Sequence, residues 1–167
     1  MGTIKNLNKI SSIYLVISAI ISLFFITVII FQYEITGIFW FTMPLCILVV
    51  VVSILNNYNI LVQPLQINKL NLLINMCVSF LQMPLITVNG FQFKYNQGLQ
   101  LIAYLKLSRE SKEAKVGIYF ENFNHLLNVK FLEINYSIIG IDLVTLFLFL
   151  FYLYQFKLKN TEGSIQS

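Results

Sequence analysis

Four polar side chains interrupt one apolar stretch of the chain: Asn71, Asn75, Ser79 and Gln82 recur at intervals of four, four and three. That spacing sets them on a single face of a helix. Amides are costly in hydrocarbon, so such a stripe must face protein or water. As hydrogen-bonding glue it would join helices within a bundle or at an oligomer interface. As the wall of a hydrated path it would line a pore, although uncharged amides discriminate weakly between ions. Asp142 is the single acid inside the long apolar runs. An intramembrane carboxylate is a functional candidate by default, but near a helix start it also stabilises the N-terminal end of the helix. A proton relay would need a second titratable group as partner, and the other runs show no acid, base or histidine to serve as one.

The remaining reactive residue types are sparse. His125 is the only histidine, with no Cys or carboxylate at ligand spacing, so a metal centre is not expected. Cys46 and Cys77 both fall in apolar runs and read as small buried residues. Ser18 and Ser22 have a spacing that permits close helix contact. Phosphate-binding glycine loops, paired cysteines and a Ser/His/Asp pattern are missing. The expectation is a non-enzymatic chain that needs no cofactor.

Of 167 residues, 57% are hydrophobic and only 11% charged, against about one quarter charged in soluble domains. Fifteen Phe and nine Tyr dominate the aromatic content. The net charge of +4 is scattered and interleaved with acids, so it does not predict direct nucleic-acid binding. A helix needs roughly 20 apolar residues to cross a bilayer, and four runs meet this: 11–32, 35–55, 70–88 and 137–156. The first follows Lys5 and Lys9 but is too long for a signal sequence. Because hydrocarbon leaves no other partner for backbone groups, all four are expected to be helices despite their Ile, Val and Phe content. Pro44 and Pro84 should then bend the second and third.

Residues 89–136 differ in character. Phe91, Phe93 and Tyr95 alternate with polar residues, as do Leu99, Leu101, Ala103, Leu105 and Leu107. Val116, Ile118 and Phe120, then Leu127, Val129 and Phe131, continue the two-residue period. Four consecutive strands with short turns suggest an antiparallel meander. The expected fold is a membrane α-helical one: a four-transmembrane-helix bundle with a small antiparallel β-meander between helices 3 and 4. By this reading 1–88 holds three spans, 89–136 an extracytoplasmic β-rich cap, and 137–167 the fourth span and a cytoplasmic tail. Lys5, Lys9, Lys69, Lys157 and Lys159 would share one side, which puts both termini in the cytoplasm of a bacterial inner membrane. One face of so small a sheet would need cover from lipid, helix ends or a second copy, so a homo-oligomer is expected.

In size, in its four expected spans and in the strand-bearing loop between the third and fourth, the chain resembles the membrane-subunit family KwaA of the bacterial Kiwa anti-phage system. The resemblance is one of topology across the whole chain and carries over no site residue. It implies a homo-oligomeric inner-membrane sensor with a soluble DNA-binding partner. Three functions follow as expectations. The first is a scaffold or sensor subunit that contacts lipids and recruits a soluble cytoplasmic protein. The second is an oligomeric pore or transport protein lined by the helix 3 stripe. The third is an accessory subunit of a respiratory or secretion complex.

Overall fold

The computed structural model describes residues 2–32, 39–64, 67–89, 91–95, 97–108, 112–122, 127–131 and 136–165. Four helices and six strands follow in the order α1 (Gly2–Gln32), α2 (Phe39–Val62), α3 (Lys69–Gln82), β1 (Pro84–Val88), β2 (Phe91–Tyr95), β3 (Leu99–Ser108), β4 (Ala114–Asn122), β5 (Leu127–Phe131), β6 (Tyr136–Asp142) and α4 (Leu143–Ile165). The expected four-span bundle is corrected by this order. Among the described residues only α1 and α2 are long and apolar enough to cross a membrane, over Asn6–Val28 and Met43–Val62. The fold is mixed α/β.

The correction has a local cause. The apolar runs 70–88 and 137–156 are each part helix and part strand, because a neighbouring strand can satisfy the backbone as fully as a helix does. Pro84 lacks the N–H that would continue α3 and is the first residue of β1, not a bend within a helix. Ile86, Thr87 and Val88 follow it, and Ile138, Ile139 and Ile141 precede α4, all β-branched residues that favour strand. These two segments pair, Leu85 opposite Gly140 and Ile86 opposite Ile139. With 14 residues, α3 rises only about 21 Å, short of the roughly 30 Å hydrocarbon core. Its start is fixed by a reciprocal cap, in which the Asn71 N–H donates to Asn68 Oδ1 at 2.8 Å and the Asn68 N–H to Asn71 Oδ1 at 3.0 Å.

The expected four-strand meander is also corrected. All six strands form one antiparallel sheet in the order β4-β3-β6-β1-β2-β5. The flanking strands β1 and β6 enter its centre, so β2 and β3, although joined by the short turn through Gln97 and Gly98, are not neighbours. Gly98 has a φ of +134°, and a Cβ there would lie 2.6 Å from the Tyr14 hydroxyl and 2.8 Å from Ser18 Oγ. Glycine in the turn, with a small residue on α1, is therefore what brings the sheet against that helix.

Two clusters show what the α1–α2 hairpin packs on. At one end Leu15 and Ile60 meet Leu72 of α3 and Leu148 and Tyr152 of α4. At the other, Ala19, Ile26, Cys46 and Val50 meet Tyr95 of β2, with Phe93 against them. Cys77, unlike Cys46, is exposed. The connector Tyr33-Glu34, the turn residues Arg109 and Glu110, and His125 lie outside the described residues.

Candidate functional site

Polar side chains in this molecule collect inside, in two seams. The first joins the helices. Asn75, fully buried, accepts on Oδ1 from Asn56 Nδ2 at 2.8 Å and from Asn57 Nδ2 at 3.0 Å, and its own Nδ2 donates to Asn57 Oδ1 at 3.0 Å. Asn71 Nδ2 donates to Asn56 Oδ1 at 2.8 Å. Farther along, Asn8 and Gln155 exchange amide hydrogen bonds of 2.8 and 2.7 Å, tying the second turn of α1 to the middle of α4. The Tyr152 hydroxyl donates to Ser11 Oγ at 3.0 Å.

Replacing Asn75 with Ala should lower stability by about 1–3 kcal/mol, because two buried donors lose their shared acceptor. A leucine at the same position restores volume without restoring an acceptor, so it should not recover the loss. Thermal unfolding in detergent, followed by circular dichroism, would show an unchanged midpoint if the seam contributed nothing.

The second seam lies where helices become strands. Gln82 Nε2 donates to Gln97 Oε1 at 3.3 Å, and the Tyr95 hydroxyl donates to the same oxygen at 3.2 Å. Gln100 Nε2 reaches the Tyr95 carbonyl at 3.4 Å and the Gln82 carbonyl at 3.5 Å. Asp142, 1% exposed, accepts on Oδ1 from the Leu101 N–H at 3.0 Å and the Val144 N–H at 3.1 Å. It thereby ends β6 and caps α4 with one oxygen. Burial holds its carboxyl above the usual carboxylate range, against the lowering effect of these hydrogen bonds. Asp142 Oδ2, Gln100 Oε1 and Gln97 Nε2 are buried without a hydrogen-bond partner among the described residues. A neutral Asp142 can carry its proton on Oδ2, and Gln100, with its free acceptor, lines the same narrow crevice.

Lys94 lines that crevice too and is paired with Glu121. In the strand order, β2 and β4 stand four spacings apart, or about 19 Å in a flat sheet. No lysine and glutamate could meet across that distance, so the sheet must be curled with this pair inside the curve. Tyr119, beside Glu121, has its phenol pushed up to about 12 by burial, then by Glu121 and Tyr104.

The stripe read from the sequence is thus distributed over both seams. Asn71 and Asn75 bond to α2; Gln82 bonds to the turn after β2; Ser79 is buried between them without a side-chain partner. Asp142 stands one residue before α4, not one turn into it. Sequence reasoning missed Gln97, Gln100 and the Lys94–Glu121 pair, which become partners only through the crossed strand order. Gln100, Lys94 and Glu121 had one signal, polar residues at alternate positions of strands whose other positions are apolar, and Gln97, in the turn before β3, had none. Chemically the seams can orient, lock and protonate. Among the described residues no group of three or more His, Cys, Asp or Glu could hold a metal ion. Comparison with protein-family models, with curated proteins and with solved structures finds no match to the chain.

Proposed function

We propose that the chain is a non-enzymatic membrane subunit, held by the α1–α2 hairpin, that passes the state of its sheet to a soluble protein at the α4 end. The observation that carries this is the junction without slack. Only Met83 separates α3 from β1, and β6 runs into α4 with no residue between. The Asp142 N–H donates to the Met83 carbonyl at 2.9 Å across the two connections. A displacement of β1 and β6 therefore moves α3 and α4 directly, with no loop to absorb it, and α4 passes beside the second turn of α1 at Gln155.

Lys5, Lys9, Lys69, Lys157 and Lys159 belong to that same end, while Glu34 belongs to the α1–α2 connector. By the positive-inside rule this end faces the cytoplasm, in keeping with a bacterial inner membrane. Nothing in the proposal requires nucleic-acid contact by this chain. The pore reading has less support, since Asn71, Asn75 and Gln82 spend their amides on partners within the chain. The anti-phage setting followed from the four-span topology, and the proposal stands without it.

Affinity purification from native membranes in mild detergent is the test. A stoichiometric soluble companion is expected, and it should be lost when the chain is truncated after Phe156. Recovery of this chain alone would overturn the proposal.

A further inference from the structure

The sheet's alternation is inverted relative to a sheet that faces water. Its concave face, the one on which Lys94 and Glu121 meet, carries Thr87, Gln100 and Asp142, each at most 2% exposed, beside the buried apolar Leu85 and Ile102. By register the other face carries Ile86, Leu101, Leu105, Val116, Ile118, Phe120, Ile139 and Ile141. Every one of these is exposed, Val116 at 83%, whereas Phe93 and Tyr95 of β2, on the same face, pack on the hairpin. A sheet in water buries the apolar set and exposes the polar one; apolar outside and polar inside is the pattern of a sheet set in lipid.

The position of the sheet along the hairpin is an independent observation. The Tyr14 hydroxyl donates to the Leu99 carbonyl at 3.0 Å, and Tyr95 packs among Ala19, Ile26, Cys46 and Val50. All these helix residues lie within the candidate spans Asn6–Val28 and Met43–Val62. From Tyr14 to Val28, α1 rises about 21 Å, while the ten residues of β3, starting at Tyr14, extend about 34 Å. If the hairpin crosses the bilayer, most of the sheet lies at hydrocarbon depth beside it. The far end of β3 is where charge gathers: Lys106 sits 4.1 Å above the Tyr136 ring, and Lys112, Glu113 and Lys115 are exposed. Aromatic and basic residues together mark a bilayer surface.

We infer that the convex face of the sheet, outside the part of β2 seated on the hairpin, lies against lipid acyl chains. Lipid fits better than a second copy because the apolar surface is not confined to one patch. It continues around the molecule through Ile20 and Phe24 of α1, Leu45 and Leu48 of α2, and Leu150 of α4, all exposed. An apolar surface on every side suits a solvent.

The inference rests on the membrane reading proposed above, and one experiment separates the two. In a Trp40→Phe background, single tryptophans replace Ile20 on α1, Ile118 and Ile139 on the convex face, and Tyr119 on the concave face. Each variant is reconstituted in phosphatidylcholine vesicles with brominated acyl chains. Ile118→Trp and Ile139→Trp should be quenched about as strongly as Ile20→Trp, and roughly twofold more than Tyr119→Trp. Two convex positions guard against a single variant that misfolds. Quenching of Ile20→Trp alone, with the convex positions reached by aqueous iodide or shielded from both quenchers by a second copy, would overturn this inference and leave the membrane reading intact. No quenching at Ile20→Trp would overturn both.

Discussion

Replacing Lys94 with Met should lower stability by about 3–5 kcal/mol, the usual consequence of stranding one member of a buried ion pair. The side chains of Lys94 and Glu121 are 5% and 14% exposed, so water does little to screen the charge left behind. The expectation is sharper than a midpoint shift. Glu121 belongs to an edge strand, and its contact with Lys94 joins strands that the ladder alone would leave about 19 Å apart. Losing the pair should relax the curl as well as strand a carboxylate. The double variant Lys94→Met, Glu121→Gln removes the stranded charge and should recover most of the loss. Denaturation of the four proteins of this cycle in detergent, followed by circular dichroism, measures the coupling. A single-variant loss below about 1 kcal/mol, the range of a solvent-screened pair, would mean that the pair does not hold the curve.

How much of this was written in the sequence follows from what each signal depends on. The alternation in β2, β3 and β4 was legible because a two-residue period is a local property, visible without knowing a strand's neighbours. The amide stripe on α3 was legible for the same reason, at a helical period. The strand character of 84–88 and 138–141 was present too, in Pro84 and the β-branched residues around it, but bilayer length counting set it aside. That counting assumes a helix is the only way to satisfy a backbone among apolar neighbours. Pairing of Ile86 with Ile139 satisfies it equally well, from residues too far apart in the chain for a window to see. The polar seam at the helix–strand junction was hidden for the same cause. Gln82, Gln97 and Gln100 become partners only once β1 and β6 stand between β2 and β3.

Asp142→Ala should destabilise the protein by about 2–4 kcal/mol, since one oxygen caps α4 through Val144 and also accepts from Leu101 on β3. Asp142→Asn should behave differently. Asparagine keeps an acceptor for both N–H groups and places an amide donor where the unpartnered Oδ2 stands. Burial raises the folded carboxyl above its ordinary value of 3.8, so between that value and the raised one the folded protein binds more protons than the unfolded chain. The favourable contribution of Asp142 is therefore complete below the unfolded value and is lost as pH rises through the folded one. Measured against Asp142→Asn, which keeps every other carboxylate, wild-type stability should fall across this window, and at neutral pH the variant should match or exceed the wild type. Thermal midpoints of the wild type and both variants across the acid-to-neutral range provide the measurement. A wild type that gains stability relative to Asp142→Asn over that window would mean the carboxylate is held charged. The junction would then be locked by an anion and not by a neutral carboxyl.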